Sequence, residues 1–386
     1  MSAIARKIVF LIGEDWFFKS HFLPMGRAAR DSGFEVIVLT KPGRCRTELE
    51  AEGFRVVYVE FSRNALDAFS IFATIRRIAR VLTQERPAVL HNLALKFALL
   101  GTIAGRLSGV PGIVNSITGL GHLVVARSVH MRILRWALWR VLPLVLNTPS
   151  SHLVFENADD AELAIRHHWT RRARIDILPG AGVDTRHYVA LPDPPTAPVR
   201  VAVVCRMLWQ KGVDTAIEAK RILDQRGISG ELWLVGNPDP DNPHAYSPSQ
   251  LEAWSKQPGV KWLGFVADIR EVWRQCHIAI APSRGGEGLP RSLIEAAACG
   301  RPLVATDVPG IRDITRTGIN GFLIPPDDPD ALADALESLI RDTSLRIAYG
   351  TASRRIAEAE YQESRVAEKV AALYDRASGN TRTLAP

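Results

Sequence analysis

Two carboxylates bracket a short loop that is rich in glycine and proline. Glu287 and Glu295 are eight residues apart, and the residues between them read Gly-Leu-Pro-Arg-Ser-Leu-Ile. An apolar run from Ile278 to Ala281 precedes the loop and an alanine-rich stretch follows it, which predicts a strand, a loop and a helix. Backbone N–H groups converge on an anion at such a helix start. The carboxylates could bind hydroxyls on two parts of one molecule, such as a sugar and a ribose, or they could be unrelated surface residues.

Two cations follow a second apolar segment. Arg206 and Lys211 come just after the run from Val199 to Cys205, whose composition predicts a strand buried on both faces. Open α/β sheets bind their ligands at the carboxyl ends of the strands. Two cations at that edge could neutralise a diphosphate, although solvated charges at the start of a helix would give the same pattern.

The elements that must position these residues repeat along the chain. Short apolar strands alternate with helical segments, which predicts parallel sheets covered by helices. In the first half the predicted strands are 7–12, 35–40, 56–59, 88–91 and 112–117, and the predicted helices are 23–32, 65–83 and 99–108. In the second half the predicted strands are 199–205, 230–235, 260–264, 278–281 and 302–306.

Length and composition favour two folded domains. The chain has 386 residues, of which 47% are hydrophobic and 23% charged, so it can bury two cores and is not globally disordered. The proline-rich stretch 191–198 predicts the linker between them. The four cysteines lack metal or disulfide spacing, which predicts buried free thiols in a reducing compartment. No secretory signal is expected, and no apolar stretch approaches the ~20 residues of a membrane-spanning helix.

The positive charge of the chain restricts the partners. A net charge of +7 fits an anionic substrate, an anionic membrane surface or nucleic acid. No helix-turn-helix, zinc-binding or aromatic-basic motif supports the last of these, so we do not expect nucleic acid as a partner.

Taken together, the two motifs identify a family. The Arg–x4–Lys-Gly pattern at Arg206 and the Glu–x7–Glu pattern at Glu287, about eighty residues apart, resemble those of the family-4 retaining glycosyltransferases of GT-B fold. The resemblance extends to segments 13–21, 91–96, 118–121, 155–157, 178–184 and 263–265. Within the family, the chain is most similar to enzymes of bacterial capsule, O-antigen, exopolysaccharide and lipid-linked oligosaccharide assembly.

This resemblance implies an α/β architecture of two tandem Rossmann-like domains that face each other across a cleft. The N-terminal domain, 1–193, would bind the acceptor, and the C-terminal domain, 199–360, would bind the nucleotide-sugar donor. A last helix at 361–376 would pack back on the N-terminal domain.

The resemblance also implies roles for the charged residues. Arg206, Lys211 and Glu287 would be catalytic, with the two cations on the departing diphosphate and Glu287 on hydroxyls of the donor sugar. Glu295 would bind the ribose 2′- and 3′-hydroxyls. The other predicted donor-binding residues are Gly13, Phe265, Gly288, Leu289, Pro290 and Arg291. Gly13 lacks a Cβ and could let the backbone approach a phosphate, but strand-to-helix turns also use glycine for geometry alone.

Three residues of the first half are candidates for the acceptor. Lys96 would contact an acceptor phosphate, within a segment in which Leu93 replaces the second histidine of many relatives. Thr118 stands where many relatives have histidine, so it could donate a hydrogen bond but could not act as a base near neutral pH. His21 could orient the acceptor, or it could be a capping or packing residue.

No metal and no cofactor are expected, because fixed cations and a helix start take the place of a divalent ion in this family and the nucleotide sugar is a substrate. Asp239 and Asp241 form an Asp–x–Asp pair that metal-dependent transferases would use. This pair lies in a run of proline, asparagine and aspartate, which predicts a turn rather than a metal site.

The segment 122–146 combines basic residues with two tryptophans. Such a helix suits an anionic membrane interface, while a buried helix with a solvated basic face is the alternative. We expect a protein on the inner face of the bacterial cytoplasmic membrane, peripheral and cytoplasmic, because lipid-linked acceptors are presented there.

The prediction is therefore a retaining hexosyltransferase. It would move a hexose or N-acetylhexosamine from a UDP-sugar to a polyprenyl-diphosphate-linked sugar, by front-face attack, in cell-surface polysaccharide or glycan assembly. Two alternatives are a UDP-N-acetylglucosamine 2-epimerase-like enzyme, which also uses tandem Rossmann domains, and a non-catalytic nucleotide-sugar-binding subunit.

Overall fold

Each half of the chain forms a parallel β-sheet in the computed structural model, which describes residues 6–61, 67–120, 128–195, 197–240 and 242–379. The two sheets belong to separate units. The first unit contains the described residues of 1–120, 127–181 and 363–386, and the second contains those of 182–362. The predicted α/β class with two Rossmann-like sheets is confirmed.

The first unit is built on seven parallel strands in the order β3-β2-β1-β4-β5-β6-β7. These strands are β1 (Arg6–Leu11), β2 (Phe34–Thr40), β3 (Arg55–Tyr58), β4 (Val89–Leu93), β5 (Gly112–Ile117), β6 (Ser151–Phe155) and β7 (Ile175–Ile177). The helices up to residue 166 are α1 (Asp15–His21), α2 (Leu23–Asp31), α3 (Arg46–Ala51), α4 (Ala68–Glu85), α5 (Leu95–Leu107), α6 (Val129–Leu146) and α7 (Ala158–Arg166). Because β1, β4 and β5 are neighbours and parallel, the loops that follow them lie at one edge.

The second unit has six parallel strands in the order β10-β9-β8-β11-β12-β13. They are β8 (Val199–Val204), β9 (Gly230–Val235), β10 (Val260–Gly264), β11 (Ile278–Ala281), β12 (Leu303–Thr306) and β13 (Gly321–Ile324). The helices are α8 (Val213–Gln225), α9 (Pro248–Ser255), α10 (Arg270–Gln275), α11 (Arg291–Ala298), α12 (Ile311–Ile314), α13 (Pro329–Arg341) and α14 (Thr343–Glu360).

The last helix, α15 (Glu363–Ala377), belongs to the first unit although it follows the second in the chain. Its apolar side chains are buried in the same core as those of β1 and α2. The Tyr374 hydroxyl lies 2.8 Å from Nδ1 of His91, whose Nε2 lies 2.7 Å from the Ser116 hydroxyl. Burial lowers the pKa of His91 to about 3, so its ring is neutral. The ring forms hydrogen bonds within the core of the unit.

The first unit ends earlier than the predicted domain boundary at 193. The division falls between residues 181 and 182. The backbone N–H of Leu191 donates to the carbonyl of Cys299 at 3.1 Å, and the Arg346 guanidinium binds the Asp193 carboxylate at 2.9 Å. These bonds hold residues 182–193 on the second unit. The second unit therefore begins before the proline-rich residues 191–198 rather than after them.

The cysteines are free thiols, and Cys45, Cys276 and Cys299 are buried as predicted, whereas Cys205 is only partly buried. Burial raises the pKa of Cys205, Cys276 and Cys299 to about 12. These three thiols therefore stay protonated near neutral pH and act as small apolar residues of the core.

Candidate active site

The loops at one edge of the second sheet carry most of the predicted donor residues. Strands β10, β9, β8 and β11 are neighbours and parallel, so their carboxyl ends meet at the same edge. Arg206 follows β8, Asp239 follows β9, Phe265 follows β10 and Glu287 follows β11. Residues that are widely separated in the sequence are thus brought to one edge of the sheet by its parallel topology.

Lys211 and Glu287 form an ion pair at this edge. The Lys211 ammonium donates to Oε1 of Glu287, and the Ser283 hydroxyl donates to the same oxygen at 3.1 Å. Both side chains are largely buried, with 18% of Lys211 and 13% of Glu287 exposed. Among the described residues, Oε2 of Glu287 has no hydrogen-bond partner, so the carboxylate is oriented but keeps one oxygen for a ligand. Sequence reasoning missed Ser283.

A close approach of two loops sets the position of Lys211. Gly212 has a φ of +65°, and a Cβ there would lie 1.9 Å from the carbonyl oxygen of Pro282. Any larger residue would push the Lys211 loop away from the loop that follows β11. The Lys-Gly pair of the motif is thus explained by backbone geometry as well as by charge.

Arg284 ties the same two loops together. Its guanidinium donates two hydrogen bonds of 2.9 Å to the Asp214 carboxylate at the start of α8, and it pairs with Asp327 at 2.5 Å. The guanidinium carbon also lies 4.5 Å from the centre of the Trp209 ring. The paired carboxylates raise the pKa of Arg284 against the opposing effect of burial, so the charge persists. Sequence reasoning missed this residue, because nothing in its spacing distinguishes it from a surface arginine.

Glu295 lies in α11, after the loop that carries Glu287, and its carboxylate accepts hydrogen bonds from two donors. The Tyr188 hydroxyl donates to Oε1 of Glu295 at 2.9 Å, and Nε of Arg291 donates to it at 2.7 Å. Burial and the negative charge of Glu295 raise the pKa of Tyr188, so the phenol remains protonated and donates. Tyr188 precedes Glu295 by more than one hundred residues and belongs to no motif, so sequence reasoning had no signal for it.

The start of α11 differs in one respect from the expectation. The helix begins at Arg291 with Pro290 as its N-cap. Pro290 has no N–H, so it cannot donate to a phosphate, and the predicted donor segment 288–291 offers fewer backbone donors than its length implies. Gly288 and Leu289 precede this cap, and Phe265 lies exposed after β10.

Arg206 binds a carboxylate of the neighbouring loop. Its guanidinium donates to Oδ2 of Asp239 at 3.0 Å, while about half of its side chain remains exposed. Asp241, the second member of the Asp–x–Asp pair, lies outside the described residues. Within the described ranges, no three histidine, cysteine or carboxylate side chains form a group that could hold a metal ion.

Three first-half candidates gather at one edge of the first sheet. Gly13 follows β1, Lys96 lies in the first turn of α5 after β4, and Thr118 follows β5. Burial lowers the pKa of Lys96. His21 instead ends α1, where its ring centre lies 4.4 Å from that of Phe17 and its Nδ1 lies 2.6 Å from the Ser20 hydroxyl.

The backbone just before Lys96 is strained. Ala94 has φ +77° and ψ 155°, a conformation that side-chain-bearing residues rarely adopt, at a typical cost of ~1–3 kcal/mol. Its N–H donates to the carbonyl of Ser116 at 2.9 Å. Helix α5 begins directly after this strained residue, so the conformation of Ala94 sets the position of Lys96 in the first turn. The sequence did not indicate this strain.

Comparison with known families assigns both halves of the chain. Residues 7–147 match the family described as Glycosyl transferase 4-like, and residues 198–342 match the family described as Glycosyl transferases group 1. The chain belongs to the family-4 glycosyltransferases of GT-B fold.

Relatives and solved structures agree over nearly the whole glycosyltransferase. An N,N′-diacetylbacillosaminyl-diphospho-undecaprenol α-1,3-N-acetylgalactosaminyltransferase of Campylobacter jejuni is 25% identical and aligns with 93% of this chain and 96% of its own. A UDP-Gal:α-D-GlcNAc-diphosphoundecaprenol α-1,3-galactosyltransferase of Escherichia coli is 22% identical, with 81% and 82% covered. The HepE protein of Anabaena, solved with UDP and glucose, shares the fold at a TM-score of 0.77 and 20% identity, with 95% and 98% covered.

One helix of the glycosyltransferase exposes apolar and basic side chains together. In α6, Ile133 is 61% exposed and Trp136 63%, and the Arg140 guanidinium carbon lies 5.3 Å from the centre of the Trp136 ring. Leu142 and Leu146 are buried against the unit, so the helix has an inner and an outer face. The alternative of a buried helix with only a basic solvated face therefore does not hold for 129–146, while residues 122–127 of the predicted segment lie outside the described residues. None of the described helices has the length and apolar composition needed to cross a bilayer.

Proposed function

We propose that this glycosyltransferase moves a hexose or N-acetylhexosamine from a UDP-sugar to a polyprenyl-diphosphate-linked sugar, with retention of configuration and without a metal ion. The observation that carries the proposal is the Lys211–Glu287 ion pair at the carboxyl edge of the second sheet, with Ser283 fixing the carboxylate. A cation and an oriented carboxylate at this edge suit a diphosphate and a sugar hydroxyl respectively.

The names of the relatives support the choice of substrates. Both bacterial transferases described above are named for acceptors linked to undecaprenyl diphosphate, and one of them is named for a UDP-sugar donor. A protein of the same fold was solved with UDP bound. We extend these substrate classes to this chain because it carries the cations and carboxylates that such a donor requires.

The donor half of the mechanism rests on electrostatics. As the bond between the anomeric carbon and the phosphate oxygen breaks, negative charge grows on the diphosphate. Lys211 and Arg206 would stabilise that charge, and fixed cations in a partly buried site need little reorganisation. Oε2 of Glu287 would accept a hydrogen bond from a hydroxyl of the sugar, and Glu295 would accept from the ribose.

Retention follows from attack on the same face of the sugar that the phosphate leaves. The acceptor oxygen forms its bond to the anomeric carbon as the phosphate oxygen departs, and the acceptor proton passes to that departing oxygen. The reaction balances without an enzymic base. Lys96 would bind the acceptor diphosphate, Thr118 would donate a hydrogen bond, and His21 would help to orient the acceptor.

A transfer assay tests the proposal directly. We expect free UDP to form only when both a UDP-sugar and a polyprenyl-diphosphate-linked sugar are present, at a rate that EDTA does not change. Nuclear magnetic resonance of the product should show the anomeric configuration of the donor. UDP-glucose, UDP-galactose and their N-acetylamino counterparts form the donor panel.

Other outcomes of this assay would each overturn a defined part of the proposal. Inversion at C2 of UDP-N-acetylglucosamine without an acceptor would indicate an epimerase, and nucleotide binding without turnover would indicate a binding subunit. A rate that falls with EDTA would contradict metal independence and direct attention to Asp239. An inverted product would contradict the front-face mechanism alone.

We propose further that the outer face of α6 contacts an anionic membrane surface. Apart from its exposed apolar residues, α6 carries exposed His130, Arg132 and Arg140 and has no acidic residue. Helices α4 and α6 both pack against α5. The first turns of α4 expose Phe69 and Phe72. Apolar side chains beside cations match the acyl boundary and the anionic headgroups of a membrane.

Vesicle binding tests this contact. Replacing Ile133 and Trp136 by serine together should weaken binding to vesicles that contain phosphatidylglycerol by roughly tenfold or more, because two large apolar groups no longer enter the interface. Binding of the unaltered protein should also weaken as salt rises, since ions screen the headgroup attraction. Cosedimentation measures both effects.

Ile347 supplies the matched control. It is 53% exposed on α14 of the second unit, so Ile347→Ser removes a comparable apolar side chain without touching α6. Equal losses in the two variants, or no binding by the unaltered protein, would contradict the contact. Turnover of a short, water-soluble acceptor should be the same in all three proteins.

A further inference from the structure

The stretch between the two family matches packs along α11, the helix that carries Glu295. Residues 182–193 fall between the family matches at 7–147 and 198–342, and they belong to the second unit. The Arg354 guanidinium of α14 donates to the carbonyl oxygens of Thr185 at 3.0 Å, Tyr188 at 2.5 Å and Ala298 at 2.6 Å. A single, partly buried cation thus fixes the backbone at Tyr188 to the last turn of α11.

This clamp places the Tyr188 hydroxyl on Glu295, one turn earlier in α11. Tyr188 and Glu295 are both more than nine-tenths buried, and their oxygens are 2.9 Å apart. The Tyr188 ring packs in the apolar core that also contains Leu293 and Ile294 of α11. The backbone clamp and the packed ring restrict the position of Tyr188, and within the described part of the chain its hydroxyl donates to no acceptor other than Oε1 of Glu295.

The two carboxylate oxygens of Glu295 differ in their hydrogen bonding. Tyr188 and Arg291 both donate to Oε1. Among the described residues, Oε2 has no hydrogen-bond partner. Two donors on one oxygen prevent the carboxylate from rotating, so the direction of Oε2 is set before a ligand arrives.

We propose that Tyr188 is a positioning residue that orients Glu295 toward the ribose hydroxyls and so sets the preference of the site for ribonucleotides over deoxyribonucleotides. This inference rests on the proposed role of Glu295 in binding the donor ribose. An oriented carboxylate gains most from a ligand that carries both hydroxyls. Without the Tyr188 hydroxyl, Arg291 is the one remaining donor to Oε1 among the described residues. A carboxylate held by one donor rotates more freely and discriminates less.

The experiment compares two nucleotides in the same protein. Binding of UDP and of 2′,3′-dideoxy-UDP is measured by calorimetry in the unaltered protein, in Tyr188→Phe and in Glu295→Gln. The unaltered protein should prefer UDP by about tenfold or more, the effect of one or two hydrogen bonds to a charged group. Tyr188→Phe should reduce that preference severalfold by weakening UDP alone, and Glu295→Gln should reduce it further.

Tyr188→Phe keeps the aromatic ring in the core. The ratio of the affinities for UDP and 2′,3′-dideoxy-UDP does not depend on the fraction of the protein that is folded, because both nucleotides are measured in the same protein. Tyr361→Phe is the matched control, because Tyr361 is buried in the same core but is not bonded to Glu295. It should leave the preference unchanged. In transfer assays, Tyr188→Phe should raise KM for the UDP-sugar while kcat changes little, since the reacting atoms are elsewhere.

The outcomes separate this inference from the function on which it rests. If the unaltered protein does not prefer UDP, or Glu295→Gln retains the preference, then Glu295 does not bind the ribose and both proposals fail at that point. If those two results are as expected but Tyr188→Phe retains the full preference, only the role of Tyr188 is overturned. A preference that falls equally in Tyr361→Phe would also overturn it, because the effect would then belong to the core.

Discussion

Replacing Lys211 by alanine is expected to lower kcat/KM for sugar transfer by about 10²–10³-fold, the usual effect of removing one preorganised group that stabilises charge in a transition state. Lys211 supplies a largely buried cation at the edge where the donor diphosphate would bind. Without it, the charge that grows on the leaving group is left to Arg206, which is more exposed and already paired with Asp239. Steady-state kinetics with a UDP-sugar and a lipid-linked acceptor measure the loss.

The Lys211 experiment needs a control for stability, because the variant leaves the Glu287 carboxylate without its cation. Combining Lys211→Ala with Glu287→Gln removes that unpaired charge, so the double variant should unfold at a higher temperature than Lys211→Ala while remaining inactive. Lys261→Ala removes another ion-paired lysine of the same unit, which binds Glu231, and should leave turnover unchanged. Near-normal turnover in Lys211→Ala would remove Lys211 from the site.

Replacing Glu287 by glutamine should lower kcat by at least about 10²-fold. The amide has nearly the shape of the carboxylate, but it is neutral and accepts more weakly, so the hydrogen bond to the donor sugar is lost as the transition state forms. Binding of UDP, which has no sugar at that position, should change little. Calorimetry with UDP and kinetics with the UDP-sugar together distinguish a role on the sugar from a role on the nucleotide.

A matched variant shows whether charge alone explains a loss. Glu271→Gln neutralises an exposed carboxylate of α10 that is paired with Arg274, and its turnover should be normal. If Glu287→Gln and Glu271→Gln have equal activity, Glu287 does not act on the sugar. If Glu287→Gln weakens UDP as strongly as it slows turnover, the carboxylate acts by holding Lys211 rather than by binding the sugar.

The two sheets could be predicted from the sequence because buried parallel strands are continuous apolar runs. Every predicted strand coincides with an observed strand to within a residue or two. The strands that the apolar runs did not reveal are β6, β7 and β13. β7 has only three residues, with an aspartate in the middle, and β13 begins at a glycine, so neither gives a clear apolar signal.

The site was predictable only in part. The motifs indicated that Lys211 and Glu287 belong to one site, and the structure pairs them. Ser283, Arg284 and Tyr188 were missed because their partners are fixed by tertiary packing, which leaves no pattern of spacing in the chain. The end of the first domain was placed too late for the same reason, since only long-range hydrogen bonds show that Asp193 belongs to the second unit.

The return of α15 to the first unit fixes the order in which the protein can be completed during its synthesis. Domains generally fold as they leave the ribosome, with the N-terminal domain first. Here the second unit has all its residues once position 362 has emerged, whereas the core of the first unit still lacks the side chains of α15. The half that is translated first is therefore finished last, and until then the apolar surface that α15 covers must be protected from aggregation.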